Sequence, residues 1–209
     1  MDPAVRPRRP QGRGPALAAS APPGKEAEPE GRRPRGPGPH PGPGGHPGRP
    51  AVVEGRARVG DREADTIVGA GTGGAVVSLV DRATKYTLLR RVDRKTADAV
   101  GSAVTGLLAP HRAAVHTITA DSGREFADHA RVSAAPGADF LLPRPYHSWE
   151  RGPTGHTNGL VRGYLPKGTD FRKVTDAEVR AVQDRLNARP GKALGYLTPA
   201  EAFLRARPP

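Results

Sequence analysis

Residues 64–92 read ADTIVGAGTGGAVVSLVDRATKYTLLRRV, and the rest of the foldable chain is built around this stretch. It contains three short apolar runs with the length and the β-branched content of strands. They occupy residues 64–68, 75–80 and 86–92. The links between them are short and rich in turn-forming residues, so the pattern predicts two antiparallel hairpins.

Helical and strand patterns alternate downstream. Thr96 precedes apolar residues at helical spacing and Pro110 follows them, which predicts a helix between the two. The other predicted elements are a strand at 115–120, a helix carrying Phe126, a strand at 139–142 and a helix at 157–165. Two more helices are predicted to follow the capping boxes that begin at Thr175 and Thr198. This order predicts an α/β fold with a mixed five-stranded sheet flanked by helices.

Residues 1–50 differ in composition from the rest of the chain. They hold 14 of the 24 prolines and 10 of the 27 glycines. Such a segment has too little apolar surface to offset its chain entropy, so a disordered tract is predicted at 1–50 and a single folded domain at 51–209. The tract fits a basic arm that holds DNA phosphates, a tail without function, or translation of unrelated GC-rich DNA.

The chain carries a net charge of +12, and both the tract and the predicted domain are basic. Basic charge on both parts favours a polyanionic partner, nucleic acid first. The absence of cysteine excludes a disulfide scaffold, a zinc-thiolate site and a thiol nucleophile. No apolar run approaches the roughly 18 residues of a membrane span and no signal peptide is visible, so a cytoplasmic protein without membrane contact is expected.

Two carboxylates are candidates for chemistry. Asp65 lies within an apolar strand, and Asp121 ends a strand before a turn that contains glycine. Carboxylates on neighbouring strands can hold Mg²⁺ or Mn²⁺ for phosphoryl transfer. The alternative for Asp121 is that it caps the helix behind it. The glycine pattern at 69–74 is followed by a strand, so it predicts a hairpin loop and no dinucleotide site.

Six motifs occur in order along the chain. They are EADTIVG at 63–69, TADSGREF at 119–126, RPYHSWERG at 144–152, TNG at 157–159, YLPKGTDF at 164–171 and LNARP at 186–190. In this combination the chain resembles the catalytic domain of the DDE transposases of the bacterial IS-thirty insertion-sequence family. The resemblance runs from about residue 49 to residue 203, nearly the whole foldable part.

The resemblance implies a ribonuclease-H-like fold, as in integrase catalytic cores, and DNA transposition by strand transfer. It implies two magnesium ions, or manganese, held by an Asp-Asp-Glu triad, in which Asp65 and Asp121 match the first two acids. The partners would be the terminal inverted repeats of a mobile element and target DNA. Related enzymes act as multimers, so a homo-oligomer is expected. A DNA-bound protein of this kind would be associated with the bacterial nucleoid.

The third acidic position departs from the family. Aligning the flanking motifs puts the family's Glu at Gly155, which has no ligand atom. Glu150 would lie on another helical face, and His156 is a poor magnesium ligand. Arg62 also stands where the family usually has Trp, and the 1–50 tract stands in place of the family's helix-turn-helix region. These departures predict a truncated, catalytically impaired domain.

Three hypotheses follow. The first is an inactive transposase-derived domain, the second an active enzyme with a non-standard third ligand, and the third a non-catalytic protein that binds DNA or an intact transposase. If DNA binds, the predicted contacts are Lys85, Trp149, Arg151, Arg162, Lys167 and Arg172, with Trp149 able to stack on an unpaired base. The alternatives are a core or lid aromatic for Trp149 and a solvated face for the cations.

Overall fold

A mixed five-stranded sheet lies at the centre of the fold, as the sequence predicts. The computed structural model describes residues 51–71, 73–134, 137–142 and 154–206. The strands are β1 (Asp61–Val68), β2 (Ala75–Asp81), β3 (Thr87–Val92), β4 (Thr117–Thr119) and β5 (Asp139–Leu141). Their order across the sheet is β3-β2-β1-β4-β5. The first three strands pair antiparallel, whereas β4 pairs parallel with both β1 and β5.

Helices flank this sheet. They are α1 (Ala51–Glu54), α2 (Ala97–Leu108), α3 (His129–Ala134), α4 (Thr154–Tyr164), α5 (Asp176–Asn187) and α6 (Pro199–Ala206). Thr96 caps α2 through a bond from the Ala99 amide, as predicted. The predicted capping boxes are confirmed, with Thr175 paired to Glu178 at α5 and Thr198 to Glu201 at α6. In the part of the chain with coordinates, no helix is long and apolar enough to cross a membrane.

Two element boundaries differ from the prediction. Strand β1 begins at Asp61, three residues before the predicted run at 64–68. Its first three residues are polar yet buried, so hydrophobic periodicity does not detect them. The helix predicted around Phe126 is broken into a 3-10 turn, Arg124–Phe126, and the separate helix α3. Two i to i+3 bonds close that turn, so Phe126 still reaches the core that Val132 of α3 also enters.

The apolar core divides into two clusters because β2 is buried over its whole length. Val77 and Leu79 join the cluster that includes α2, whereas Val76 joins the cluster that includes α4 and α5. Successive side chains of a strand point to opposite faces, so the clusters lie on the two faces of the sheet. Asp65 shares its parity with Ile67, which places it on the α4 face.

The predicted tract at 1–50 and the whole motif at 144–152, including Trp149 and Arg151, lie outside the described residues. The division of the chain at residue 50 therefore stays a prediction. The described residues all belong to one compact unit of the chain.

Candidate active site

The parallel pairing of β1 with β4 brings the two predicted acids toward one another. Asp61 lies opposite Thr117, and Glu63 lies opposite Thr119. Continuing this register by two residues on each chain segment matches Asp65 with residue 121. Asp121 lies two residues beyond the end of β4, so the continued register, rather than a strand pair, matches the two aspartates on the same side of the sheet.

Asp61 holds this register in place. Its side chain is fully buried, and its Oδ1 accepts a hydrogen bond from Thr117 Oγ1 at 2.8 Å. Arg58 donates to both carboxylate oxygens, at 2.7 and 3.1 Å. The hydrogen bond to Asp61 raises the pKa of Arg58, which keeps the guanidinium charged. A buried polar bond between β1 and β4 therefore fixes the alignment on which the site depends.

Asp65 is half-buried and bonded on both of its carboxylate oxygens. Oδ1 accepts from the Thr66 amide at 2.7 Å, and Oδ2 accepts from Asn158 Nδ2 at 2.7 Å. Ser78 of β2 donates to Asn158 Oδ1 at 3.2 Å, which sets the orientation of the amide group. Strand β1, strand β2 and helix α4 are thus joined at the first acidic residue.

Asp121 opens the turn after β4 and accepts a hydrogen bond from the Gly123 amide at 3.1 Å. This bond belongs to the turn, so Asp121 does not cap α3. An ideal Cβ on Gly123 would lie 2.8 Å from Asp121 Oδ1 and 2.5 Å from Glu125 Oε2. Gly123 has an ordinary extended backbone, so a side chain there would displace these two flexible carboxylates rather than strain the turn. The carboxyl groups of Asp121 and Glu125 border the same small space.

Glu125 is a site residue that the sequence reasoning did not select. It is only 8% exposed, and its Oε1 accepts from Thr66 Oγ1 at 3.0 Å and from Lys95 Nζ at 2.7 Å. Burial favours the neutral acid, but the bonds from Lys95 and Thr66 outweigh it and hold the pKa of Glu125 below its ordinary value. The available signal was its place four residues after Asp121 in one of the shared motifs.

Helix α4 carries the position of the family's third acid. Gly155 lies in its first turn and is exposed, and a Cβ there would meet no atom within 4 Å. Residues three apart on a helix share a face, so position 155 lies on the side from which Asn158 reaches Asp65. A side chain at 155 would therefore find open space and would extend from the face of α4 that contacts Asp65.

The donor set is incomplete for the metal pair that the fold implies. Asp65 and Asp121 offer the hard oxygen atoms that Mg²⁺ and Mn²⁺ prefer. Across residues 51–71, 73–134, 137–142 and 154–206, however, no three His, Cys, Asp or Glu side chains form a group that could hold a metal ion. Glu125 forms no group of three with other such side chains among the described residues, and its Oε1 is engaged by Lys95 and Thr66.

The predicted DNA contacts differ in how far they are engaged within the protein. Lys167 is exposed. Lys85 is half-buried, and its Nζ donates to the Arg82 carbonyl at 2.6 Å. Arg162 donates to the carbonyl of Val68 at 2.6 Å. Trp149 and Arg151, the remaining two of the predicted set, have no described position.

Arg172 is exposed, and Asp170 neutralises it. Its Nε and Nη2 donate to the two Asp170 oxygens at 3.0 and 2.9 Å. These bonds lower the pKa of Asp170 to about 2 and raise the pKa of Arg172. Any phosphate that binds Arg172 must therefore compete with a fixed carboxylate.

Arg62 is buried completely on β1. Its Nε lies 3.7 Å from Asp81 Oδ2, and its guanidinium lies 5.1 Å from the centre of the Phe203 ring. None of its three nitrogens has a hydrogen-bond partner. Burial lowers the pKa of Arg62, against the attraction of Asp81. A cation thus occupies a site that its surroundings stabilise poorly.

Comparison with known proteins identifies relatives for this domain, although no family model matches the chain. It is 44% identical over 146 residues to the transposase of insertion sequence element IS4351 from Bacteroides fragilis, covering 70% of this chain and 45% of the relative. It is 41% identical over 148 residues to the IS1086 transposase from Cupriavidus metallidurans, covering 69% and 43%. It is 33% identical over 148 residues to transposase InsI of element IS30C from Escherichia coli, covering 70% and 38%. The chain thus spans less than half the length of these curated relatives.

Solved structures agree on the fold. The catalytic core domain of BIV integrase matches with a TM-score of 0.54 at 17% identity, over 70% of this chain and 95% of that one. The simian T-cell lymphotropic virus intasome matches with a TM-score of 0.60 at 16% identity, over 73% and 57%. At this identity the likeness concerns the fold alone, which is that of ribonuclease-H-like integrase cores. Sequence similarity and fold together show that the matched part of the chain is homologous to insertion-sequence transposases, those of IS30 elements among them, and has the fold of integrase catalytic cores.

Proposed function

We propose that this domain serves DNA transposition, with the terminal inverted repeats of a mobile element and target DNA as its partners, and that Gly155 impairs its catalysis. One observation carries the proposal. The β1–β4 register, continued two residues past the pair of Glu63 with Thr119, matches Asp65 with Asp121, and Asn158 ties α4 to Asp65. The position one turn earlier on that helix holds glycine.

Asp65 and Asp121 are the residues that would hold Mg²⁺ or Mn²⁺. When bound, such an ion stabilises the negative charge that develops during phosphodiester transfer. A site with two carboxylates and no third binds the metal ion less tightly and holds it in a less defined geometry, because metal affinity depends on the number of charged ligands. The proposed state of this chain is therefore a DNA-binding core with little or no strand-transfer activity. Self-association on paired DNA ends and a place at the bacterial nucleoid belong to the same proposal.

The test is a strand-cleavage assay on labelled duplex DNA that carries terminal repeats of a related element, with Mg²⁺ and with Mn²⁺. The variants are Gly155→Glu and, as a matched control, Gly163→Glu. Position 163 is exposed on the same helix, and a Cβ there also meets open space. It lies about 12 Å further along the axis. Calorimetric titration with Mn²⁺ gives a second readout that does not need cleavage.

Gly155→Glu is expected to bind Mn²⁺ more tightly than the unmodified chain and to cleave, whereas Gly163→Glu does neither. Adding Asp121→Asn to Gly155→Glu should abolish both gains. Cleavage by the unmodified chain would contradict the proposed impairment. Equal Mn²⁺ binding by the two glutamate variants would contradict the placement of residue 155 in the metal site.

A second candidate is a non-catalytic protein that binds DNA or an intact transposase. It is favoured by the exposed cations on the described surface, such as Lys167, Arg189 and Lys192. DNA binding with a steep salt dependence, and no cleavage by any variant including Gly155→Glu, would support it. Loss of all DNA binding at moderate salt would exclude its DNA-binding form.

A further inference from the structure

A cavity of about 450 Å³ lies beside the candidate active site. Its walls come from the β2–β3 turn, helix α4, the end of α5 and the segment that leads to α6. The residues used below are Lys85, His156, Leu160, Arg189, Lys192 and Leu194. Helix α4 links the cavity to the site, since His156 lines the cavity directly after Gly155.

The charge of the cavity is entirely positive. Lys85, Arg189 and Lys192 line it, and none of its lining residues is acidic. The side chains of Arg189 and Lys192 are exposed and make no hydrogen bond or ion pair with another described residue. Lys85 is half-buried, and burial and the nearby Arg56 lower its pKa. Glu63 and Asp81 partly offset the charge of Lys85, whereas Arg189 and Lys192 have no acidic residue beside them in the lining. Arg189 and Lys192 therefore attract an anion such as a phosphate to this opening.

The inner walls of the cavity are apolar. Leu160 of α4, Leu186 of α5 and Leu194 contribute to them, together with two prolines. An apolar pocket with a few charged groups at its edge is typical of sites that hold a small molecule with one polar end. The volume is sufficient for one nucleotide, which combines a flat base with an anionic phosphate.

We propose that this cavity binds one unpaired nucleotide of a DNA strand. The base lies against the leucine and proline walls, and the phosphate is bound by Arg189 and Lys192, with Lys85 on the opposite side. The proposal rests on the proposed function, because it names the part of the DNA substrate that this face of α4 receives. Duplex DNA alone does not fit it, since a stacked and paired base cannot enter a cavity.

The experiment measures fluorescence anisotropy of a labelled single-stranded 12-mer at two salt concentrations, without divalent metal. The charge variant is Arg189→Glu/Lys192→Glu. Its control, Arg112→Glu/Arg205→Glu, makes the same change in net charge at exposed positions outside the cavity. The filling variant is Gly191→Phe. Gly191 has an extended backbone, and a Cβ there meets only Leu194 side-chain atoms at 3.9 Å, so a larger residue fits locally.

The charge variant is expected to weaken binding about tenfold or more and to reduce the slope of log affinity against log salt by about 0.7, the value for one phosphate contact on a single strand. The control should change affinity less than about threefold, as expected for a general loss of charge. Gly191→Phe should weaken binding without changing the slope. An abasic 12-mer of equal charge should bind more weakly than the normal strand, and inorganic phosphate should compete poorly with it.

Equal effects of the charge variant and its control would overturn the proposal. Equal binding of the abasic and normal strands would also overturn it, because only an anion site would remain. These outcomes leave the proposed function standing if the chain still binds duplex ends and Gly155→Glu still cleaves. Failure to bind single-stranded and duplex DNA alike would overturn both. Melting curves establish whether each variant is folded. If Gly191→Phe does not fold, the comparison of the charge variant with its control still tests the proposal.

Discussion

Asn158 Nδ2 donates a hydrogen bond to Asp65 Oδ2 at 2.7 Å, which ties helix α4 to strand β1 at the first acidic residue. Gly155 lies three residues earlier on that helix and therefore on the same face. The helix that presents the family's third acid is present and docked, and Val161 and Leu165 bury its apolar face. The metal site that we propose lacks a carboxylate at position 155.

We predict that Asn158→Ala, introduced into Gly155→Glu, lowers Mn²⁺ affinity by about 10- to 100-fold, because groups that orient a metal ligand contribute on that scale. Ser78→Ala is the matched control. It removes the bond that orients the Asn158 amide and a longer bond to the Asp65 carbonyl, but it leaves the bond from Asn158 to the Asp65 carboxylate in place, so a smaller loss is expected. Calorimetric titration measures both. Unchanged affinity in the Asn158 variant would show that its bond to Asp65 does not position the carboxylate.

Thr117→Val should lower the free energy of unfolding by about 1–3 kcal/mol, because the buried Asp61 carboxylate loses a donor. Thr119→Val is the control on the same strand. Thr119 Oγ1 is buried without a hydrogen-bond partner, so its replacement is expected to be neutral or stabilising by up to about 1 kcal/mol. Urea denaturation measures the difference. Equal destabilisation by both changes would exclude the bond between Thr117 and Asp61 as its cause.

Arg62→Met should raise the free energy of unfolding by about 1 kcal/mol or more, because a buried cation without hydrogen bonds is replaced by an apolar side chain. Asp81 retains its donors, among them the amides of Gly60 at 2.8 Å and Thr84 at 2.9 Å. Its charge therefore stays stabilised after the change. Thermal and urea unfolding give the measurement.

Arg82→Met provides the contrast to the Arg62 variant. Arg82 is equally buried but pairs with Glu63 and donates to the Val53 carbonyl at 3.1 Å. Its removal leaves a buried carboxylate without its partner and should cost about 3–5 kcal/mol. If Arg62→Met destabilises the protein to the same degree, the weak interaction with Asp81 contributes more than its geometry indicates.

Glu125→Gln should destabilise the domain by about 1–3 kcal/mol at neutral pH, because the buried carboxylate accepts from Lys95 and Thr66. The folded pKa of Glu125 lies below its ordinary value of 4.5. The stability that the Glu125 carboxylate contributes is therefore complete above pH 4.5 and is lost as the pH falls through its pKa in the folded state. Unfolding curves from pH 7 to pH 3 should show the two proteins converging. Lys95→Met should reduce the same pH dependence, and a constant difference across this range would contradict the assignment.

Asp170→Asn should strengthen DNA binding if Arg172 contacts phosphate, because the change frees a guanidinium that Asp170 now neutralises. The asparagine still accepts the Arg172 amide bond that caps the turn at Phe171–Lys173. Anisotropy with duplex DNA gives the affinity. Adding Arg172→Ala should remove the gain. A gain that persists in the double variant would assign the effect to the lost negative charge alone.

The local pattern of the chain predicted the main elements of the fold. Alternation and run length predicted the three hairpin strands, and Thr96, Thr175 and Thr198 marked helix starts because a cap depends on residues only a few positions apart. The polar start of β1 escaped detection. Asp61, Arg62 and Glu63 are buried through partners 19 or more residues away, which no local pattern contains.

By itself, the sequence determined the mixed sheet and the helix caps, since each rests on residue type or spacing. It also predicts the two aspartates and the glycine at the third acidic position, from residue type and ordered motifs. Only the tertiary structure decided that Asn158 reaches Asp65, that Glu125 is bonded between Thr66 and Lys95, and that Arg62 is buried without hydrogen bonds. The physical reason is separation along the chain. Asp65 and Asn158 are 93 positions apart, and only the packing of α4 against the sheet brings such groups within hydrogen-bond distance.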